Sequence, residues 1–268
     1  MRTRPVAGGG RAVEMPPERL AGWFDRFAGL HGGAVRTTTG SHEVVVTAAD
    51  GATATVPVPF PPLPGPGEDR GGLAIERLVE HALRPRRIGL VLVRLGGHSV
   101  GIADGPRVLV SATGRRPVHG RNAAGGWSQQ RFARRREGQA REALAAAVED
   151  VSRVLVPRAG ELDAVVLGGD RHALQTVCAD PRLASVMALA QRRILQVREP
   201  RRDVLDEAAQ RARSVEVVVR GGSIGTSGVP DAPSRTDRRT ARKAAGKTAG
   251  KTAGKTGRKS GRGDCVDS

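Results

Sequence analysis

Apolar residues along the chain follow two periods, and the switch between them divides it. Pro17–Leu30 sets Leu20, Trp23, Phe24, Phe27 and Leu30 at three- and four-residue spacing, which predicts an amphipathic helix. Glu43–Ala48 and Ala52–Pro59 read as strands, and the Ala-Asp-Gly between them at 49–51 is a hairpin turn signal. Pro61–Gly72 (PPLPGPGEDRGG) interrupts every pattern. It predicts the boundary between a small N-terminal α/β region, residues 1–70, and a second domain, residues 71–220. Gly72–Leu83 then repeats at helical spacing through Leu73, Ile75, Leu78, Val79 and Leu83.

Past Pro85 the period becomes that of strands. IGLVLVRL (88–95), HSVGIAD (98–104) and RVLVSAT (107–113), joined by glycine-containing turns, predict an antiparallel meander. Leu144, Val148, Val151 and Leu155 share one face of a long helix over Ser128–Val156. A strand at 163–169, helices at Arg171–Val177 and Leu183–Ala190, a strand at 194–197, a helix over Arg202–Arg213 and a strand at 215–219 complete the body. Strands followed by alternating helices and strands predict an α/β (α+β) fold, a mixed sheet with helices on its faces. The apolar runs Ile88–Val93 and Asp163–Leu167 are too short to span a bilayer, and Met1–Arg11 has no apolar stretch of the signal-peptide kind; a cytoplasmic protein is expected.

Charge adds a third region. The 268 residues carry 44 Lys plus Arg against 27 Asp plus Glu, a formal +17. All five lysines fall between Lys243 and Lys259, and Arg235–Arg262 holds 11 basic residues and one acid, a surplus of ten that leaves +7 for the rest. GGSIGTSGVPDAPS precedes this tail as a flexible linker. The tail repeats AGKT three times over Ala245–Thr256; its lysines would repel on one helix face, and Gly and Thr disfavour a helix, so 221–268 reads as linker and disordered tail. GKT resembles a phosphate-binding loop, but that loop needs a glycine five residues before its GK, where positions 241, 245 and 249 are Ala. Counterion release on nucleic acid is the use expected of such a tail, a plain solubilising role the bland alternative. Aromatics at 2%, with no Tyr, exclude stacking on many bases as the main binding device. Cys178 and Cys265 are too few for a disulfide scaffold or a cysteine zinc cluster.

One segment of the body stands apart. Gly114–Gln139 (GRRPVHGRNAAGGWSQQRFARRREGQ) has four glycines up to Gly126, seven arginines by Arg136 and no carboxylate before Glu137. A glycine-rich arginine loop entering a helix suits close approach to phosphate, through backbone N–H groups and guanidinium forks; a surface loop that is merely basic is the alternative. Without acids, two-metal phosphoryl chemistry has no ligands here, and no metal or other cofactor is expected. Ser128 with His119 lacks a third triad member, and the other histidines are scattered without metal spacing. Two glutamines remain, Gln129 and Gln130, beside Gly125 and Gly126 at the helix start. An amide is too weak a base to take a proton. It can orient water and stabilise developing charge, which suffices for an activated acyl ester such as the one joining peptide to tRNA.

GGWSQQRFARRRE resembles the catalytic loop of the middle domain of archaeal and eukaryotic peptide-chain release factors, which reads Gly-Gly-Gln-Ser, then Arg-Phe two residues later, then Arg. Gly125, Gly126, Ser128, Arg131, Phe132 and Arg134 match in place. Trp127 stands where that family has its catalytic glutamine. Among Vms-like release factors of ribosome quality control the glutamine is displaced after a Gly-Gly-Ser, and the actinobacterial members are the most similar, with Ser128-Gln129 as the equivalent pair. The resemblance implies an RNase H-like mixed sheet across Ile88–Val219 and peptidyl-tRNA hydrolysis. It leaves both Gln129 and Gln130 as catalytic candidates.

On this reading the protein is a ribosome-associated peptidyl-tRNA hydrolase with the large subunit, rRNA and peptidyl-tRNA as partners. Arg115, Arg116, Arg121, Arg131, Arg134 and Arg135 would hold rRNA and acceptor-end phosphates. Gly125 and Gly126 would let backbone enter where side chains do not fit, and Trp127 would stack on a base or pin the loop. Two rivals stay open: a non-catalytic RNA- or ribosome-binding factor, and a nucleoid protein whose tail binds DNA.

Overall fold

The computed structural model describes residues 1–115 and 127–222, with residues 127–136 as helical backbone alone. Its elements, among the described residues, run β1 (Arg2–Pro5), β2 (Arg11–Met15), α1 (Leu20–Leu30), β3 (Ala34–Thr39), β4 (Glu43–Ala48), β5 (Thr53–Pro57), β6 (Glu68–Gly71) and α2 (Glu76–Leu83). There follow β7 (Arg87–Arg94), β8 (Gly97–Asp104), β9 (Arg107–Arg115), α3 (Trp127–Leu155), β10 (Ala164–Gly169), α4 (Arg171–Cys178), α5 (Ala184–Met187), β11 (Ala190–Leu195), α6 (Arg202–Ala212) and β12 (Val215–Arg220). The predicted tail, with its AGKT repeats, lies outside the described residues.

The first sheet has seven strands in the order β1-β2-β12-β5-β4-β3-β6, antiparallel at every pairing. Its strands alternate. Val44, Val46, Ala54, Val56, Val215 and Val217 point to the side covered by α1 and α2, where they meet Leu20, Trp23, Phe24, Phe27 and Leu78. Burying one aliphatic or aromatic side chain of this kind contributes about 1.5–3 kcal/mol, so this shared apolar face is what holds helices and sheet together. The hairpin between β4 and β5 turns as predicted: Gly51 takes φ +82°, and Asp50 Oδ1 accepts from the Ala52 amide at 2.9 Å.

The second sheet has five strands in the order β11-β10-β7-β8-β9. The meander β7-β8-β9 is antiparallel, as predicted, and β10 lies parallel to both β7 and β11. Here both faces are covered. Val91, Val93, Val100 and Val165 pack against Val151 and Leu155 of α3 and Leu174 and Val177 of α4. Ile88, Leu90, Leu92 and Val166 pack against Val204, Leu205 and Ala208 of α6. A strand buried on both sides reads as a continuous apolar run, which is why IGLVLV shows no alternation. The architecture is α+β, with a mixed sheet flanked by helices.

Several elements depart from the sequence expectation. β1, β2, β3 and β6 were not anticipated: RTRP, AVRTTT and EDRG offer few apolar residues; β1 and β6 are the edges of the sheet, each held by one hydrogen-bond ladder, and β2 and β3 lie just inside them, with side-chain pairs such as Arg36–Asp69 between β3 and β6. β6 lies inside the stretch expected only to break structure. β11 begins at Ala190 rather than at 194, and α5 is correspondingly short, because the parallel ladder with β10 takes the backbone from Ala190 onward. β12, expected to end the second sheet, sits between β2 and β5 in the first. Its alternation suits a sheet covered on one side. α2 also joins the first core, so the first sheet is not confined to residues 1–70; Met1–Ser223 forms one compact unit. Among the described residues, no helix is long and apolar enough to cross a membrane.

Candidate functional site

The arginine loop leaves the second sheet at the end of β9 and rejoins described structure at the start of α3. Arg116, Arg121, Gly125 and Gly126 lie in the stretch 116–126, outside the described residues, as does His119. Trp127, Ser128, Gln129, Gln130, Arg131, Arg134 and Arg135 fall in the opening turns of α3. Gln129 and Gln130 are therefore adjacent helical positions, about 100° apart around the axis.

α3 is anchored at its far end. Among the residues whose exposure is described, Ala143 is the first buried one, followed by Ala147, Val148, Val151, Val154 and Leu155. Pro157, in the 3-10 turn Val156–Glu161, closes the helix. Gln129 stands 14 residues before Ala143, roughly 21 Å along the axis at 1.5 Å per residue. The glutamines ride on the distal part of a helix whose core contacts lie behind them.

Arg115 is the one candidate arginine whose side chain is described. It is exposed and pairs with Glu199 at 3.0 Å. The loop contains no carboxylate of its own, yet the fold supplies one at its root from the segment after β11. A pair this exposed contributes at most about 1 kcal/mol, so it yields readily to a phosphate.

Gly114, counted from sequence among the four glycines of the loop, has a different task. It is paired with His98 across the β8–β9 ladder, and a Cβ there would stand 2.3 Å from His98 Cε1. The missing side chain makes room for a buried imidazole. His98 Nε2 donates to Asp150 Oδ2 of α3 at 2.8 Å, since an ionised carboxylate can only accept, and Arg153 donates to Asp150 Oδ1 at 2.6 Å. Burial works to raise the Asp150 carboxyl, but the hydrogen bonds from His98 and Arg153 prevail and hold it below the ordinary carboxylate value. Beside this pair, Ser99 and Thr113 share a hydrogen bond at 2.7 Å.

Sequence reasoning left His98 among the scattered histidines and missed Asp150 altogether. One signal was present. Asp150 is a lone acid on the stripe formed by Ala143, Ala147, Val151 and Val154, and an acid on a buried face needs a partner. Among the described residues, no group of three or more His, Cys, Asp or Glu is placed to hold a metal.

Comparison with known proteins bears on the same segment. Residues 86–218 match the family described as Actinobacteria/chloroflexi VLRF1 release factor. No curated protein matches the chain. Among solved structures, the archaeal translation termination factor aRF1 is similar with 19% identity over 63% of this chain and 51% of its own, at a TM-score of 0.36. Dom34 of S. cerevisiae, titled a translation termination-like factor involved in RNA quality control pathways and interacting with Hbs1, gives 8% identity over 80% of this chain and 69% of its own, at 0.29. Pelota of Archaeoglobus fulgidus gives 12% over 79% and 65%, at 0.28. The chain thus spans about half the length of the archaeal termination factor. The matched residues take in β7 through most of β12, with the candidate loop and all of α3 between them, and that segment is similar to the Actinobacteria/chloroflexi VLRF1 release factor family.

Proposed function

We propose that this release-factor-like protein hydrolyses the ester between nascent peptide and tRNA on stalled ribosomes or isolated large subunits. The observation that carries the reading is that a carboxylate-free, arginine-rich sequence, Gly114–Arg136, leads into the first turns of a core-anchored helix, with Gln129 and Gln130 in those turns, inside the segment that the release-factor family matches. Gly125 and Gly126 present backbone alone to the narrow reaction centre. Gln129 directs an attacking water at the ester carbonyl and stabilises the charge that develops on it. Arg116, Arg121, Arg131, Arg134 and Arg135, joined by Arg115 once Glu199 is displaced, hold phosphates of rRNA and the acceptor end through charge-assisted forks. Residues 71–220 hold the chemistry, and the tail within 221–268 supplies salt-dependent attraction to nucleic acid without a preorganised site.

The decisive experiment is release of labelled peptide from peptidyl-tRNA on isolated large subunits in the cytoplasmic salt range. Release that depends on the protein supports the reading. Tight ribosome binding without release would make the protein a non-catalytic ribosome-binding factor. Preference for duplex DNA over ribosomes would make it a nucleoid protein.

A further inference from the structure

The His98–Asp150 pair has no access to substrate. His98 is 3% exposed, closed in by β7, β9 and α3, so it neither donates to nor accepts from a reacting ester. It does join the two structures between which the loop is strung. On one side the ring fills the space opened by Gly114, one residue before the described part of β9 ends; on the other its Nε2 holds Asp150 of α3. From Asp150 to Gln129 runs a continuous helix of 21 residues, roughly 31 Å of axis. At that length a tilt of about 2° moves Gln129 by about 1 Å, and a misplacement of 1 Å can cost on the order of 100-fold in rate. The hydrogen bond sits near the pivot of a long lever.

We infer that His98 and Asp150 are positioning residues: by fixing the angle of α3 against β8 and the exit of β9 at Gly114, they set where the loop presents its amide. The inference rests on the hydrolase reading and deepens it. The geometry makes Gly114 part of the same device, since any side chain there drives into the ring from the strand side. The groups that face His98 are Asp150 and, behind it, Arg153 on α3, with the Gly114 backbone on β9.

The test uses the full chain and two readouts. In the first, His98→Ala, Asp150→Asn and Gly114→Ala are assayed for peptide release at saturating protein and for large-subunit affinity. Release falls on the order of 10- to 100-fold while affinity stays within about twofold, and His98→Gln, which restores a side-chain N–H near the Nε2 position, recovers most of it. The double variant His98→Ala/Gly114→Ala is no worse than either single change, because the methyl group now enters space the ring has left. In the second, spin labels at Ser128→Cys and Leu95→Cys, in a chain with Cys178 and Cys265 replaced by Ser, report the distance from the start of α3 to the β7–β8 turn. His98→Ala shifts or broadens that distance, and His98→Gln restores it. An unchanged distance together with unchanged release overturns the inference, as does strict additivity of the two alanine changes. If the unaltered protein releases nothing, the hydrolase reading fails, while the distance experiment still decides whether this pair orients α3.

Discussion

Each sheet buries one histidine against one aspartate, and the two pairs do different work. In the first sheet His31, at the end of α1, meets Asp50 of the β4–β5 turn at 2.8 Å, and the ring also lies 4.5 Å from Phe27. That pair ties a helix to the hairpin beside it, within 19 residues of sequence. In the second sheet His98 and Asp150 stand 52 residues apart and straddle the candidate loop. The sheets around them differ in the same way. The first is antiparallel, covered on one side, and holds the stacked and edge-on cluster of Trp23, Phe24 and Phe27. The second is mixed, aliphatic and covered on both sides. A sheet clamped on both faces is the stiffer base for a projecting helix, while a sheet with one open face has only its own hairpins to hold. On the proposed function, the clamped sheet is the one whose loop must be aimed.

The comparison is most exposed to a cut in the first core. Phe24 is fully buried, and Phe24→Ala removes its packing against Trp23 and Phe27, at a cost of about 3–5 kcal/mol. Because β12 closes the first sheet but follows α6 of the second directly, both sheets should unfold together. Thermal unfolding followed by circular dichroism then shows one transition lowered by on the order of 10 °C. Two separated transitions, with only the first displaced, would show that the sheets are independent bodies and that β12 is a loose strap.

A smaller effect in free energy, but a larger one in function, falls on the second sheet. Gln129→Ala should lower peptide release on the order of 100- to 1000-fold with ribosome affinity and thermal stability unchanged, since the change removes one polar group from the proposed site. Gln130→Ala should cost far less, its side chain leaving the helix about 100° away. The reverse pattern would shift the register by one residue to fit Trp127; normal release from both, and from the double variant, would remove the amide from the mechanism.

The two halves were not equally legible. β7 to β10, α3 and α6 follow from apolar runs and helical stripes, because elements buried on both faces or along a broad stripe print their environment directly onto sequence. β1, β3 and β6 could not be read, since Arg2–Pro5 and Glu68–Gly71 join a sheet only through partners such as Glu14 and Arg36 that local pattern does not name. The placement of β12 is a matter of topology; VEVVV is as good a strand for either sheet, and only its alternation favoured the first. At the site, the loop composition and the Gln129–Gln130 pair were visible at once. The support behind them was not, because Gly114 and His98 acquire meaning from a cross-strand register and a close approach that no spacing encodes.

The finest discrimination between the two pairs lies in how their carboxyls titrate. Both aspartates are held below the ordinary value of 3.8, for different reasons. For Asp50 the leading cause is the Ala52 amide, with His31 second; for Asp150 the leading influence is burial, which raises it, overcome by His98 and then Arg153. A carboxyl depressed in the folded state stabilises the fold above its unfolded value and loses that contribution as the pH falls through the folded value. Removing the ring should therefore act unequally. In His31→Ala the Ala52 amide remains and Asp50 stays depressed. In His98→Ala burial is opposed by Arg153 alone, so Asp150 titrates upward toward its unfolded value, and the stability this carboxyl contributes above that value, with its loss in acid, shrinks. Carboxyl carbon titrations by NMR on the two variants measure this directly. If Asp50 moves as far as Asp150, the two pairs are electrostatically alike, and the distinction drawn between a local tie and a buried clamp loses its physical basis.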